Sequence, residues 1–241
     1  MTVRTLVLWD VDHTLIETRG VGAELFREAF EQATGRKLEH PAEVTGRTEP
    51  DIFAKTAELH SIPFNSELLD LYATALTAAY QARTAELAAR GRAVPGAAEA
   101  IGALARAGGV IQSVLTGNLR AVAEIKLQAF GLADGLDLDA GAFGSDDPVR
   151  ARLVRIAQCR AAGKYRARFD ARTTVLIGDT PSDVDAARDG GARIIAVATG
   201  KSTVADLRSA GAGLVLPNLT DTAALVKAVT AVPAEGWDPT G

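Results

Sequence analysis

Five short apolar runs, separated by stretches of helical periodicity, constrain this chain more than any other feature. They lie at 5–11 (TLVLWDV), 110–116 (VIQSVLT), 174–178 (TVLIG), 193–198 (RIIAVA) and 213–216 (GLVL). Runs that stay apolar at consecutive positions read as strands buried on both faces, as in a parallel sheet. Helical patterns fall between them at 97–107, 119–130, 149–162, 182–189, 204–210 and 221–229. Strand alternating with helix indicates an α/β chain, a Rossmann-like parallel sheet flanked by helices. Ligands of such sheets bind at the carboxyl ends of the strands, so the residues just after each run carry the functional reading.

The stretch 17–93 breaks the alternation and contains no convincing strand. Leu68, Tyr72, Leu76 and Tyr80 recur every four residues, one face of a helix. Further helices are expected at 22–34 and at 51–59, the second opened by Pro50. Pro95 and Gly96 mark the return to the α/β pattern. The organisation read from this is a core of 1–16 plus 94–232, an all-helical insert at 17–93, and a loose tail at 233–241 on which Trp237 is able to dock. Gly20-Val21-Gly22 fits a hinge between core and insert. It is no dinucleotide fingerprint, because no GxGxxG follows a strand.

Composition narrows the function classes. Hydrophobic residues make up 47% of 241, enough for a core. With 26 Lys and Arg against 30 Asp and Glu, there is no basic footprint for nucleic acid or an acidic membrane. No apolar run approaches the ~20 residues of a membrane span. The N-terminal stretch has no signal-peptide pattern, so a cytoplasmic protein is expected. One cysteine, Cys159, excludes an intramolecular disulfide and a multi-Cys zinc site. Three scattered histidines make no metal cluster. Oligomeric state is not written in the sequence.

The acids gather at strand ends. Asp10 and Asp12 close the first run and would share a face while the strand lasts. Carboxylates so close repel unless a cation or proton separates them, and a hard cation such as Mg²⁺ suits them. Asp179 follows TVLIG, and Asp183, four residues on, serves either that site or as a helix cap. Thr116 ends another strand, before Gly117 and Asn118. Asn118 is a ready cap for the next helix, while a hydroxyl and free amides at a helix start form a phosphate site.

These residues resemble the haloacid dehalogenase (HAD) superfamily. Asp10-Val11-Asp12-His13-Thr14-Leu15 is similar to its first motif, Leu115-Thr116-Gly117-Asn118 to its second and Gly178-Asp179-Thr180-Pro181-Ser182-Asp183 to its fourth. The helical insert resembles the C1 cap of the phosphoglycolate phosphatase-like branch. The resemblance implies Asp10 as nucleophile and Asp12 as acid and base. It implies Mg²⁺ held by Asp10, the backbone carbonyl of Asp12 and Asp179. Asp183 would orient the metal's water shell or a neighbouring basic residue. Thr116 and the adjacent Gly117 and Asn118 amides would grip phosphoryl oxygens. The dehalogenase branch lacks an acid at the place of Asp12, so Asp12 argues for a phosphatase acting on a small phosphorylated metabolite.

His13 stands where the motif carries glycine; it points outward beside the hinge or touches the leaving group. The third motif, a Lys or Arg that ties nucleophile to phosphate, has Arg150 at the family-like position, with Arg152, Arg155 and Lys164 as competitors. Gly46-Arg47-Thr48 breaks the insert's helices, and Arg47 is placed to read a carboxylate or second phosphate, or else is an ordinary surface arginine. A phosphomutase remains an alternative. So does a phosphonatase, which would want a Schiff-base lysine such as Lys37 or Lys55. From other classes come an Asp-phosphorylated receiver domain, usually about half this length, and a HAD fold kept for binding without turnover.

Overall fold

The computed structural model describes residues 4–231. Residue 232 and the tail at 233–241, with Trp237, lie outside the described residues. The strands are β1 (Thr5–Trp9), β2 (Ile16–Glu17), β3 (Arg92–Ala93), β4 (Val110–Thr116), β5 (Ala142–Phe143), β6 (Thr174–Gly178), β7 (Arg193–Val197) and β8 (Val215–Leu216). Six of them form one parallel sheet in the order β5-β4-β1-β6-β7-β8. The alternation of apolar runs and helical patterns thus produces the parallel sheet it implies.

Side chains alternate between two buried faces along each central strand. Val7 and Trp9 of β1, Val114 of β4 and Val175 and Ile177 of β6 pack on one face. Leu6, Leu8, Ile111, Leu115 and Leu176 pack on the other. Helices α5 (Ala97–Arg106) and α10 (Thr222–Thr230) cover the first face, and α7 (Arg150–Tyr165) and α8 (Pro181–Gly190) the second. Gln112 interrupts β4 with an amide, and both its ends are used. Its Oε1 accepts from Trp9 Nε1 at 3.1 Å and its Nε2 donates to the Ile101 carbonyl at 2.9 Å. A buried amide satisfied in this way is tolerated in an apolar layer.

β1 is shorter than its apolar run. It ends at Trp9, because the Leu15 and Ile16 amides both donate to the Val11 carbonyl, at 2.9 and 3.0 Å. That tight loop takes Val11 out of the ladder. Asp10 and Asp12 therefore do not share a strand face. The two-residue β5 was not anticipated, being too short to show a period. The pair β2 and β3, equally short, runs antiparallel with Ile16 opposite Ala93 and Glu17 opposite Arg92. The chain leaves and re-enters the core side by side through this pair, although the sequence shows no strand signal in 17–93.

Between β2 and β3 lie α1 (Val21–Thr34), α2 (Glu49–Leu59), α3 (Ser66–Ala82) and α4 (Thr84–Arg90). They surround an aromatic cluster in which Phe53 stacks on Tyr72 at 4.0 Å and Phe26 meets Tyr72 edge-on. Helix α6 (Arg120–Ala129) belongs to both bodies. Its Ala123 and Leu127 pack on the sheet, while Val122 and the preceding Leu119 join the insert's core. Among the described residues, no helix is long and apolar enough to cross a membrane.

Candidate active site

The sheet order decides the site. β4, β1 and β6 are neighbours, so Thr116, Asp10 and Asp179 emerge side by side at their carboxyl ends. Asp10 and Asp179 are buried, and Thr116 is 1% exposed. Asp10, Asp179 and Asp183 each present one carboxylate oxygen, and these oxygens lie within 4.8 Å of one another. Burial pushes the Asp10 carboxyl up to about 7, although Arg150 pulls it down, and the neighbouring acids add to the rise. Asp179 is pushed to about 8 by burial, then by Asp10 and Asp183. Carboxyls held together at that cost have the donor set and spacing for a hard divalent cation.

Asp183 caps a helix and also meets Arg150. One oxygen accepts from the Thr180 amide at 3.0 Å and from its hydroxyl at 2.6 Å, in a capping box that starts α8. The other accepts from Arg150, at 2.6 and 3.0 Å. Thr14 Oγ1 donates to Asp179 at 3.0 Å. Gly200, in the loop after β7, leaves room for the acids; a Cβ there would stand 1.9 Å from Asp179 Oδ2.

Arg150 opens α7 and is almost fully buried. Its Nη2 meets Asp10 Oδ1 at 2.7 Å. The three competitors lie elsewhere. Arg152 is exposed beside Asp147, Arg155 is exposed, and Lys164 pairs with Asp137 and Asp139 on the surface. Arg150 is therefore the cation that reaches Asp10.

Asp12 turns away from the acid cluster. Its oxygens accept from Lys126 Nζ at 2.8 and 2.9 Å and from Asn118 Nδ2 at 2.7 Å. Burial alone would raise its pKa, but Lys126 outweighs it and holds the carboxyl below the usual range. The Asp12 side chain is not in the group of acids that could hold a cation. Asn118 is not the helix cap. α6 begins at Arg120 with Leu119 at its cap position, and no side chain caps it. The Asn118 side chain instead joins Asp12 to Thr116, donating to Thr116 Oγ1 at 2.7 Å. That bond occupies a lone pair of the Thr116 hydroxyl and leaves its proton to donate.

Lys126 was missed by the sequence reading. The signal was there: α6 buries Val122, Ala123, Lys126 and Leu127, so the lysine sits on the apolar stripe. His13 is exposed and takes the left-handed conformation, φ 63°, that the usual glycine adopts freely. Gly20, at φ 91°, starts α1 just past β2.

The insert reaches the site through residues 46–49. The Glu49 amide donates to the Gly117 carbonyl at 2.7 Å, and Thr48 Oγ1 donates to the Pro148 carbonyl at 3.2 Å. Gly117 allows this approach, since a Cβ there would fall 2.2 Å from the Arg47 carbonyl oxygen. Arg47 pairs with Asp51 at 2.8 Å. It lines a cleft of about 540 Å³ with Asp51, Pro148, Arg150 and Ser182. Of the lysines weighed for a Schiff base, Lys55 pairs with Asp51 and Lys37 is exposed.

The haloacid dehalogenase-like hydrolase family model matches residues 7–188, which takes in all the strand-end acids and the insert. The chain belongs to this family. A hydrolase from Pseudomonas syringae shares the fold with a TM-score of 0.69 at 20% identity, covering 95% of this chain and 100% of that one. CbbY from Rhodobacter sphaeroides, solved in complex with phosphate, has a TM-score of 0.69 at 21% identity, covering 91% and 96%. A predicted phosphoglycolate phosphatase from Haemophilus somnus has a TM-score of 0.64 at 16% identity, covering 93% and 99%. At such identities the likeness speaks for the fold. No curated protein matches the sequence. A receiver domain is set aside: family membership spans the helical insert, and Asp10 follows the first strand.

Proposed function

We propose that this HAD hydrolase is a Mg²⁺-dependent phosphatase that cleaves a small phosphorylated metabolite through a phosphoaspartate on Asp10. The carrying observation is the Asp10 carboxylate. It emerges at the end of β1, oriented by Arg150 at 2.7 Å and grouped with Asp179 and Asp183. Asp12 stands apart from that group, free of a metal-binding role for its side chain. That separation supports Asp10 as the nucleophile and Asp12 as the proton carrier.

In the first half-reaction an Asp10 oxygen bonds to phosphorus and the bond to the ester oxygen breaks. Asp12, an ionised carboxylate on Lys126 in the free protein, takes up the proton of a monoanionic ester and hands it to that oxygen. In the second, water attacks phosphorus, Asp12 takes the water's proton, and Asp10 is released with inorganic phosphate. Arg150 and the Thr116 hydroxyl hold phosphoryl oxygens in line. Asp10, the Asp12 carbonyl and Asp179 would hold Mg²⁺, with Asp183 beside them. When bound, the ion supplies the positive charge that offsets repulsion between carboxylates and phosphate. The helical insert acts as the lid, with residues 46–49 lying on the site. A cytoplasmic location and a small metabolite, not nucleic acid, as partner are part of the same proposal, supported by 26 Lys and Arg against 30 Asp and Glu.

The test is phosphate release from a panel of small phosphate esters, after chelation and after Mg²⁺ is restored. Turnover should need the metal and vanish in Asp10→Asn. Metal-independent turnover, or activity surviving in Asp10→Asn, would overturn the mechanism. Release of inorganic phosphate, rather than an isomerised ester, separates the phosphatase from a phosphomutase.

A further inference from the structure

Lys126 is a buried cation that the proposed reaction has so far left without a task. Its side chain is 5% exposed, against 38% for its partner Asp12. All three ammonium protons are committed: to Asp12 Oδ1 at 2.8 Å, Asp12 Oδ2 at 2.9 Å and Asn118 Oδ1 at 2.7 Å. Tyr80 of α3 covers the ammonium with its ring, 5.4 Å away. The carboxyl of Glu49, held by the Tyr72 hydroxyl, stands close enough for its charge to act on Lys126. Burying a charge costs several kcal/mol unless it is paired. A simpler core would have placed a leucine at this point of the stripe.

The geometry explains the lysine. Lys126 grips Asp12 from the buried side, and Asn118 donates to one of the same oxygens. The Asp12 side chain still keeps 38% exposure. Asn118 also holds Thr116, so one chain of bonds runs from the acid to the phosphate-facing hydroxyl. We infer that Lys126 is the positioning residue for Asp12, holding its carboxyl where the leaving oxygen of the ester must receive a proton. The inference rests on the phosphatase reading above. As the phosphorus–oxygen bond breaks, its electron pair stays on the ester oxygen. The proton that Asp12 has taken up with the ester passes to that oxygen, and the carboxylate left behind remains on Lys126.

A positioning role has a signature that a structural role lacks. It should matter only where the leaving oxygen needs a proton. An alkoxide needs one; p-nitrophenolate leaves without it. The experiment measures first-turnover alcohol release from an alkyl phosphate, glycerol phosphate, and from p-nitrophenyl phosphate. It compares wild type, Lys126→Met, Lys126→Arg and Asp12→Asn, each with Mg²⁺. Lys126→Met should slow alkyl release ~100-fold and nitrophenolate release less than about 5-fold, the range of a lost general acid. Asp12→Asn should show the same asymmetry, and Lys126→Arg should recover part of the alkyl rate. The ratio of the two rates is taken on one sample, so a partly unfolded variant does not disturb it. Equal loss on both esters, or no loss on either, would overturn the role of Lys126. If wild type cleaves neither ester, the phosphatase reading itself falls and this role falls with it.

Discussion

At the scale of single residues, two cations divide the acids between them. Arg150 joins Asp10 to Asp183, and Lys126 joins Asp12 to Asn118. Removing one partner of a buried pair leaves an uncompensated charge, at a cost of about 3–5 kcal/mol. Arg150→Met should therefore lower thermal stability and reduce kcat at least ~100-fold, the size of a lost charge contact to the phosphoryl group. Arg152→Met should leave kcat within about 2-fold, because that side chain is on the surface. A kcat comparison of the two variants checks the assignment. The raised carboxyls give a pH prediction. Asp10 and Asp179 bind a proton more tightly folded than unfolded, from 3.8 up to about 7 and about 8. The folded state then holds more protons, and stability falls as pH rises through that window. Metal-free protein should lose roughly 5 °C of Tm between about pH 6 and pH 8.5. Mg²⁺ should restore it most at the high end, and Asp179→Asn should flatten the dependence. A Tm that rises over that range without metal would contradict this account.

At the scale of elements, the start of α3 and the loop around Gly117 make separate demands. Asn65 caps α3, its side chain accepting from the Leu68 amide at 2.8 Å. Asn65→Ala should cost about 1 kcal/mol with kcat unchanged, as checked by denaturant melts beside turnover. Gly117→Ala is the opposite case. The new methyl meets the Arg47 carbonyl at 2.2 Å, so the insert must back away from the loop that carries Thr116. The strain, about 1–3 kcal/mol, falls on the bond between Glu49 and Gly117. KM should rise ~10-fold if that contact closes the site over substrate, while a substitution at Gly213, which has nothing within 4 Å of a Cβ and no positive φ, is the unstrained control. An unchanged KM in Gly117→Ala would show that the approach of 46–49 is irrelevant to binding.

At the scale of the whole molecule, long periodic elements were legible and short or shared ones were not. β4 and β6 match their apolar runs because consecutive buried residues leave no ambiguity. β5, β2 and β3 hold two residues each and exist only through partners far along the chain. The acids were legible as strand ends, and so was Arg150 as one of four bases. Asn118 was read equally well as a cap, and only the Asp12 carboxylate beside it shows where its amide goes. What the sequence by itself determined is the layer architecture and the residue types at each strand end, because hydrophobic period and strand context are local. What only the tertiary structure decided is partnership. Sheet order brought Asp10 beside Asp179 across 169 positions, α6 wedged between core and insert buried Lys126 behind Asp12, and the path of 46–49 brought Glu49 to Gly117. Such contacts form between residues distant in the chain, and no local pattern of charge or period records which of several equal partners packing will choose.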